Sequence, residues 1–395
     1  MFQYRILILL IVYSILSSSS AHLSNEDSSI EEVMSFISSQ LLPEIKSRKI
    51  TVYTGTNWKY LMIPSVSKYL FEELDIVENL APLGNFNRPG DKYEKKYICV
   101  HDTGDHSYGA EKWSNIVKEG KIGNRDYEAS FQYVVGNDGY YHNIPDDEIA
   151  YHAGDGHTEE SAFGLIKSGV YTDSMTKEKP IIDIDKEGYY TINGEKSLIL
   201  APTKDGQILT AKYINDLGIY SELQKVEGEE NKYEYYLGRT WYSPTYDYIS
   251  NYGGNLNSIG IESCINVNTD VYYTWQKVAK LVANLMYDNK LDINAVVQHH
   301  YFSGKNCPQT KRTAGLWGYF KTIIESEYQM LLYKKMGYSF EFKTDSDCLD
   351  EKGRVIKNVA KETTVNYSII VKDKDGNKIE QSFYSYLYPY DLNEE

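Results

Sequence analysis

Hydrophobic residues recur every three or four positions in two long stretches of the chain, and this spacing predicts amphipathic helices. Asn268, Thr269 and Asp270 precede the first stretch and offer side chains that can cap a helix. The apolar residues of this stretch are Trp275, Val278, Ala279, Val282 and Met286. The second stretch follows the Cys-Pro turn at 307–308, and its apolar residues are Leu316, Phe320, Ile323, Ile324 and Leu331. Both stripes are typical of helix faces that pack against a core.

Shorter apolar runs that end in polar turns predict buried strands. Residues 97–100 lead into a polar turn at 101–105, and Val296 and Val297 end another run. Ile259 and Ile261 alternate with other residues and indicate a third strand. From Asn87 onward, strand-like and helix-like stretches alternate along the chain. This order predicts an α/β layered domain in which helices flank a mixed central β-sheet.

The first 21 residues have the pattern of a secretory signal peptide. Arg5 precedes an apolar run at 6–16, and the small residues at 17–21 suit cleavage. A permanent membrane anchor is the alternative, but this run is too short to span a bilayer comfortably. The sequence therefore predicts a secreted, extracellular protein without stable membrane insertion after cleavage.

Length, charge and cysteine content narrow the picture further. The 395 residues suggest two or three domains. Nucleic-acid partners require a basic surface, so the net charge of -15 argues against nucleic acid. An oxidising compartment would permit disulfides between the cysteines. Cys99 and Cys264 could meet if their strands are neighbours, and burial as two small hydrophobic residues is the alternative.

One loop near the second helix carries residue types that bind zinc. It contains His299, His300, Lys305 and Cys307. Imidazole and thiolate are preferred zinc ligands. A site with three protein ligands leaves the fourth coordination position open for water, as in catalytic zinc sites. His101 is the candidate third ligand because it lies where a predicted strand ends, and functional groups gather at the C-terminal ends of strands in α/β sheets. His300 competes with His299 for one ligand position.

Seven segments recur in a recognisable order along about residues 87–325. They are NRPG at 87–90, VHDTGD at 100–105, FQYVV at 131–135 with DG at 138–139, IPDD at 144–147, AYHAGDG at 150–156, NSIGIE at 257–262 and HHYFSGKNCP at 299–308. Together they resemble the zinc-dependent N-acetylmuramoyl-L-alanine amidases, a family that includes phage-type amidases and peptidoglycan-recognition proteins. The resemblance implies the fold of this amidase family and a zinc cofactor. It also implies peptidoglycan as substrate and hydrolysis of the amide between N-acetylmuramic acid and L-alanine.

The resemblance also assigns roles to individual residues. His101, His299 and Cys307 match the metal ligands, and the spacing between ligands in the family favours His299 over His300. Glu262 matches a general base, and Lys305 matches a cation that stabilises the oxyanion. We therefore expect Glu262 and Lys305 to be catalytic.

Further positions are implied less directly. Some family members use a tyrosine as base where this chain has Phe131, so the resemblance implies that Glu262 acts alone. Tyr133 is a weak substitute because strand alternation points it to the opposite face. His152, Tyr133 and Thr103 are the expected substrate-binding residues.

The regions outside the resemblance suggest additional units. Residues 87–337 form the expected catalytic domain, but its stretch at 158–250 is longer than the usual family connection and contains an Asn193-Gly194 hairpin signal, so we expect a β-rich insertion there. Residues 22–86 form an N-terminal extension with a helix start near Ser28-Ser29. Short strands around a turn at 373–377 predict a small Ig-like β module over 338–395.

Two other functions fit parts of the pattern. A non-catalytic peptidoglycan-binding recognition protein would share the fold, but such members commonly lack the cysteine ligand, and Cys307 is present. A secreted zinc peptidase that acts within the stem peptide would share the metal ligands.

Overall fold

The computed structural model describes residues 28–53, 57–154, 165–174, 180–201, 203–204, 207–208, 221–238, 253–303 and 305–390. The predicted signal peptide at 1–21 lies outside these residues. Among the helices within these ranges, none is both long and apolar enough to cross a bilayer.

The described strands and helices are numbered here in chain order. The strands are β1 (Glu44–Ile45), β2 (Arg48–Tyr53), β3 (Asn57–Met62), β4 (Ile76–Glu78), β5 (Tyr97–Asp102), β6 (Lys121–Ile122), β7 (Arg125–Asp126), β8 (Tyr133–Gly136), β9 (Gly139–His142), β10 (Leu165–Thr172), β11 (Ile182–Ile184), β12 (Tyr189–Ile192), β13 (Glu195–Leu200), β14 (Thr203–Lys204), β15 (Gln207–Ile208), β16 (Ser221–Lys225), β17 (Tyr233–Gly238), β18 (Ser258–Ser263), β19 (Val296–Gln298), β20 (Ser339–Thr344), β21 (Thr363–Lys372) and β22 (Lys378–Leu387). The α-helices are α1 (Ile30–Ser39), α2 (Ala110–Glu119), α3 (Gly253–Asn257), α4 (Val271–Asn289), α5 (His299–Ser303), α6 (Gln309–Thr313) and α7 (Trp317–Lys335).

The central sheet has six strands in the order β19-β5-β18-β8-β9-β4. β19, β5, β18 and β8 run parallel, whereas β9 is antiparallel to β8. This mixed sheet with helices packed against it confirms the predicted α/β class. Because parallel strands end at the same edge of a sheet, β5, β18 and β19 deliver the residues at their C-terminal ends to one place.

The two faces of this sheet serve different purposes. Val100 and Ile261 lie on one face and join α4 and α7 in the largest core cluster. Strand alternation places their neighbours His101 and Glu262 on the other face. α2 covers part of that second face, where Trp113 packs in a separate cluster. The apolar face thus anchors the strands, and polar groups gather on the opposite face.

The helices largely follow the sequence pattern. Asp270 caps α4 by accepting a hydrogen bond from the backbone N–H of Tyr272, which confirms both the helix and its start. The second predicted helix is divided into α6 and α7. Gly315, with φ +66°, lies between them, and Leu316 is the N-cap of α7 rather than part of its apolar stripe. A left-handed residue of this kind ends one helix before the next begins.

The N-terminal and C-terminal segments fold together. α1 starts where the sequence predicted, because Ser29 and Glu32 form a reciprocal capping box. β1 pairs in parallel with β22 and completes a four-stranded sheet of order β1-β22-β21-β20. A second core cluster draws on α1, the segment after β3, α7 and this sheet, and it includes Val33, Ile37, Tyr69, Met330, Val365 and Tyr367.

The small Ig-like module expected at 338–395 differs from this arrangement. The strands of that segment form one sheet rather than a sandwich, and α1 packs against β21 and β22. Met330 of α7 and Tyr367 of β21 share one core cluster, so the core continues across Gly337. A sheet of this size needs a second layer to bury its apolar face, and the N-terminal extension supplies that layer.

The described part of the 158–250 segment is β-rich, as predicted. β10, β17 and β16 form one sheet, and β11, β12 and β13 form another. Asn193 and Gly194, with φ +50° and +88°, make the predicted two-residue turn between β12 and β13. A cluster drawn from this segment alone includes Val170, Ile182, Tyr190, Ile192, Tyr235 and Leu237. We call residues 165–238 the β-rich lobe.

Candidate metal centre

The three predicted ligands converge at the C-terminal edge of the central sheet. His101 is near the end of β5, His299 directly follows β19, and Cys307 lies in the loop between α5 and α6. Their candidate ligand atoms all lie within 4.8 Å of one another. All three residues are buried, with exposed fractions of 1%, 8% and 4% respectively.

The separations suit a shared metal ion. Cys307 Sγ lies 3.8 Å from His101 Nδ1. Two ligands of a tetrahedral zinc ion, at its usual bond lengths to sulfur and nitrogen, would be about 3.6 Å apart. His299 Nδ1 is buried and has no hydrogen-bond partner among the described residues. Since a buried polar atom is normally paired, an ion bound by His299 through Nδ1 would satisfy this nitrogen.

The electrostatics favour neutral imidazoles. Burial is the main cause that holds the pKa of His101 and of His299 well below the ordinary value, and nearby positive groups, including Lys305, act in the same direction. A neutral imidazole is the form that binds a metal. Burial raises the pKa of the Cys307 thiol to about 12, although Lys305 opposes this rise. A bound cation would favour the thiolate.

The neighbouring His300 occupies a different place. Its backbone N–H donates to the carbonyl oxygen of Cys307 at 3.1 Å, which links the two ends of the ligand loop. His299, and not His300, groups with His101 and Cys307. This grouping favours His299 within the pair, and its role as the metal ligand stays a prediction.

Glu262 lies beside the three ligands. It is paired with His101 in the register of β18 and β5, and its Oε1 is 3.8 Å from His101 Nδ1. Its Oε2 is buried without a hydrogen-bond partner in the described structure. Burial raises the pKa of this carboxyl to about 8, and the charge of Lys305 opposes the rise. A carboxyl with such a pKa can exchange a proton near neutral pH.

The structure places two of the expected substrate contacts, Tyr133 and Thr103, in different surroundings. Tyr133 is 5% exposed, belongs to the main core cluster and stacks on His142 with ring centroids 4.5 Å apart. It therefore lies on the opposite face of the sheet from the ligands, and its assignment to substrate binding is wrong. Thr103 extends the end of β5: its N–H donates to Ser263 at 3.0 Å and its hydroxyl to the carbonyl of Asp105 at 3.3 Å.

The third expected contact, His152, touches His101 on the side of its ring that faces away from Cys307. Its Nδ1 lies 2.9 Å from Nε2 of His101, and the two rings meet edge to face. Cys99 Sγ is 3.2 Å from the same Nε2.

The structure contains no disulfide between Cys99 and Cys264. All four cysteines are unpaired, and these two belong to different clusters, so they are buried as small hydrophobic residues.

Sequence reasoning missed two charged residues behind the site. Asp102, directly after His101, accepts hydrogen bonds from the backbone N–H and the hydroxyl of Thr310 at 2.6 and 2.8 Å. Lys311 donates to Asp102 at 3.1 Å and to the hydroxyl of Ser263 at 3.2 Å. A charged residue within a buried strand was a signal for Asp102, whereas no local feature of the sequence points to Lys311.

Comparison with known proteins adds an independent finding. Residues 91–182 match the family model described as N-acetylmuramoyl-L-alanine amidase. The matched range includes His101 and His152 and ends before Glu262, His299 and Cys307. The family resemblance seen in the motifs is thereby confirmed over this range.

Individual relatives have the same description. N-acetylmuramoyl-L-alanine amidase XlyA of Bacillus subtilis (strain 168) is 22% identical over 251 residues, which cover 64% of this chain and 51% of the relative. The chain thus spans about half the length of that relative. N-acetylmuramoyl-L-alanine amidase CwlH of the same organism is 37% identical over 73 residues, 18% of this chain and 28% of CwlH. The solved catalytic domain of XlyA is 20% identical and aligns with a TM-score of 0.36 over 64% of this chain and 99% of that domain.

Proposed function

We propose that this chain is a secreted zinc hydrolase that cleaves the amide bond between N-acetylmuramic acid and L-alanine in peptidoglycan. The observation that carries the proposal is the buried group of His101, His299 and Cys307, whose ligand atoms lie within 4.8 Å of one another beside Glu262. The family match over residues 91–182 and the names of the relatives support the substrate. The signal-like pattern at 1–21 supports secretion.

The donor set suits zinc. Two imidazoles and one thiolate form a typical three-ligand set for a catalytic zinc ion, and His299 Nδ1, which has no hydrogen-bond partner among the described residues, fits that role. When bound, zinc supplies a Lewis acid that polarises the scissile carbonyl and lowers the pKa of a water molecule. His101, His299 and Cys307 would hold it.

Glu262 handles the proton in this proposal. Its carboxylate accepts a proton from the attacking water and later passes it to the leaving amine. Burial, which raises its pKa to about 8, makes both halves of this exchange accessible near neutral pH. Its side chain is 15% exposed, so the group is sheltered but reachable.

Lys305 supplies positive charge at the same edge. Its charge acts on Glu262, His101, His299 and Cys307, which supports a catalytic role for it beside them. A fixed cation there stabilises the oxyanion that develops when the amide carbonyl is attacked.

The test is hydrolysis of a defined muropeptide by the purified chain, with the fragments identified by mass spectrometry. We expect an intact stem peptide with L-alanine at its N-terminus, together with the sugar carrying a free lactyl carboxyl group. A chelator should abolish turnover, and added zinc should restore it. Glu262→Gln is the matched control, because it keeps the shape of the side chain but cannot accept the proton.

The other outcomes assign other functions. Cleavage within the stem peptide would overturn the amidase proposal in favour of a peptidase. Muropeptide binding without turnover, in protein loaded with zinc, would instead identify a recognition protein.

A further inference from the structure

Beneath the candidate metal centre, His101 has a second contact that the catalytic proposal does not use. Its Nδ1 faces Cys307 at 3.8 Å and Glu262 at 3.8 Å, whereas its Nε2 faces His152 Nδ1 at 2.9 Å. The two ring nitrogens therefore have separate surroundings, one toward the ligand group and one toward His152.

We infer that His152 is a positioning residue, which accepts a hydrogen bond from His101 and fixes that imidazole as the tautomer with its proton on Nε2. This inference rests on the proposed metal site. A neutral imidazole carries one proton, so a proton on Nε2 leaves the lone pair of Nδ1 for the metal. The opposite tautomer would point a hydrogen into the ligand group. The partner of the second ring nitrogen thus decides whether the first can bind a metal.

The distances separate a hydrogen bond from a second metal site. Cys99, His101 and His152 also form a group that could hold an ion. Two nitrogens bound to one tetrahedral zinc ion would be about 3.3 Å apart, and a nitrogen and a sulfur about 3.6 Å. The observed separations from His101 Nε2 are shorter, at 2.9 Å to His152 and 3.2 Å to Cys99. A separation of 2.9 Å is that of a direct hydrogen bond.

The position of the His152 ring is built into the fold. The side-chain oxygen of Asn255 accepts hydrogen bonds from the backbone N–H groups of His152 and Ala153 at 2.8 and 2.7 Å. On the sheet, the ring packs against Gly260, where an added Cβ would come within 2.7 Å of ring atoms. Gly260 itself is held through its N–H by Gln132 at 2.7 Å. A glycine inside a buried strand is expected where another group approaches this closely.

The first experiment measures zinc affinity by competition with a chelating dye. We expect His152→Leu to bind zinc about 10- to 100-fold more weakly than wild type, the usual cost of losing a group that orients a ligand. His152→Asn should recover most of the affinity, because its side-chain oxygen can accept the hydrogen bond in place of Nδ1. His142→Leu replaces a partly buried histidine at the end of β9 and should leave zinc affinity unchanged.

The second experiment reads the tautomer directly. Long-range proton–nitrogen NMR spectra of the zinc-free wild-type protein should show the His101 proton on Nε2. A proton on Nδ1 would overturn the inference, and this measurement needs no variant to fold. Gly260→Ala should displace the His152 ring and reproduce the loss of zinc affinity seen with His152→Leu.

Two further results would overturn the inference. Unchanged zinc affinity in His152→Leu, combined with a raised KM for muropeptide, would make His152 a substrate contact. Two zinc ions per chain, with one lost in Cys99→Ala, would show that Cys99, His101 and His152 form a second metal site. The inference and the proposed function can also fail separately. If the wild-type chain hydrolyses no muropeptide but the zinc affinities keep the expected order, positioning by His152 stands and the amidase proposal falls.

Discussion

The ammonium group of Lys311 lies 3.1 Å from the carboxylate of Asp102, and neither side chain is exposed to solvent. Asp102 directly follows the candidate ligand His101 and also binds Thr310 in α6. Lys311 in turn donates to Ser263, the residue after Glu262. One buried ion pair therefore joins the ends of β5 and β18 to the helix that follows Cys307.

We expect Lys311→Met to lower the free energy of unfolding by about 3–5 kcal/mol, because it leaves the buried carboxylate of Asp102 without its cation. The zinc affinity should fall in the same variant, since the ends of β5, β18 and the ligand loop lose their common partner. Chemical denaturation and dye competition measure the two effects. Adding Asp102→Asn should recover part of the stability, because the uncompensated charge is then gone.

A second buried ion pair provides the control. Lys280 and Glu327 lie 2.9 Å apart between α4 and α7, with side chains 8% and 2% exposed. Lys280→Met should cost a similar amount of stability and leave zinc affinity unchanged. If both variants weaken zinc binding equally, the effect reflects general destabilisation and Lys311 has no particular role at the site.

The ligand pair gives a sharper test of the metal site. We expect His299→Ala to lose zinc, since His299 belongs to the buried ligand group and its Nδ1 has no hydrogen-bond partner among the described residues. His300→Ala should retain about one zinc ion per chain, because the contact of His300 with Cys307 uses its backbone. Metal analysis of the purified variants distinguishes them, and loss of zinc in His300→Ala would show that the wrong histidine was chosen.

Glu262→Gln should separate metal binding from proton transfer. We expect this variant to bind zinc as wild type does and to lose turnover by about 10²-fold or more, because the amide cannot accept the proton. Lys305→Met should lower kcat more than it raises KM, since oxyanion stabilisation acts only in the transition state. Near-normal turnover of Glu262→Gln at full zinc occupancy would assign the base to another group.

Sequence patterns predicted the parts of the site that depend on local order. The chain pattern predicted the strands that carry His101 and Glu262, and the register of β5 with β18 then pairs these two residues on one face. Strand alternation also argued against Tyr133 as a base, although Tyr133 was still expected to bind substrate, and it lies in the core on the opposite face. Periodicity also located α4 and its cap, since both depend on residues close together in the chain.

Contacts between distant segments were beyond such reasoning. Lys311 meets Asp102 across 209 positions, and no periodic pattern marks either partner. The orientation of His152 depends on a bend that carries no repeating pattern, although Gly260 inside a buried strand was a usable sign of close approach. The pairing of β1 with β22 likewise joins the two ends of the described chain, and only the structure reveals it.

The pairing of β1 with β22 makes the C-terminal segment part of a shared core, so its deletion should destabilise the protein. Removing residues 340–395 would take β21 and β22 from the cluster that contains Val33, Ile37 and Tyr69. Each large apolar side chain that becomes exposed costs about 1.5–3 kcal/mol of stability. A typical domain has a free energy of unfolding of about 5–15 kcal/mol, so the exposure of a few such side chains can unfold it. We expect this truncated chain to be insoluble or to unfold at a markedly lower temperature, with loss of turnover on a small soluble muropeptide.

Excision of the β-rich lobe should have a milder effect on stability. Its cluster, which includes Val170, Tyr190 and Leu237, draws only on residues of the lobe, so the excision exposes little of the core formed by the other described residues. With a short Gly-Ser linker in place of 165–238, we expect the melting temperature of the remaining protein to stay within a few degrees of wild type. Any loss of turnover would then report a role for the lobe in substrate binding. If instead the 340–395 truncation stays folded and active while the lobe excision unfolds the protein, the shared terminal core is dispensable and the lobe is part of the structural framework.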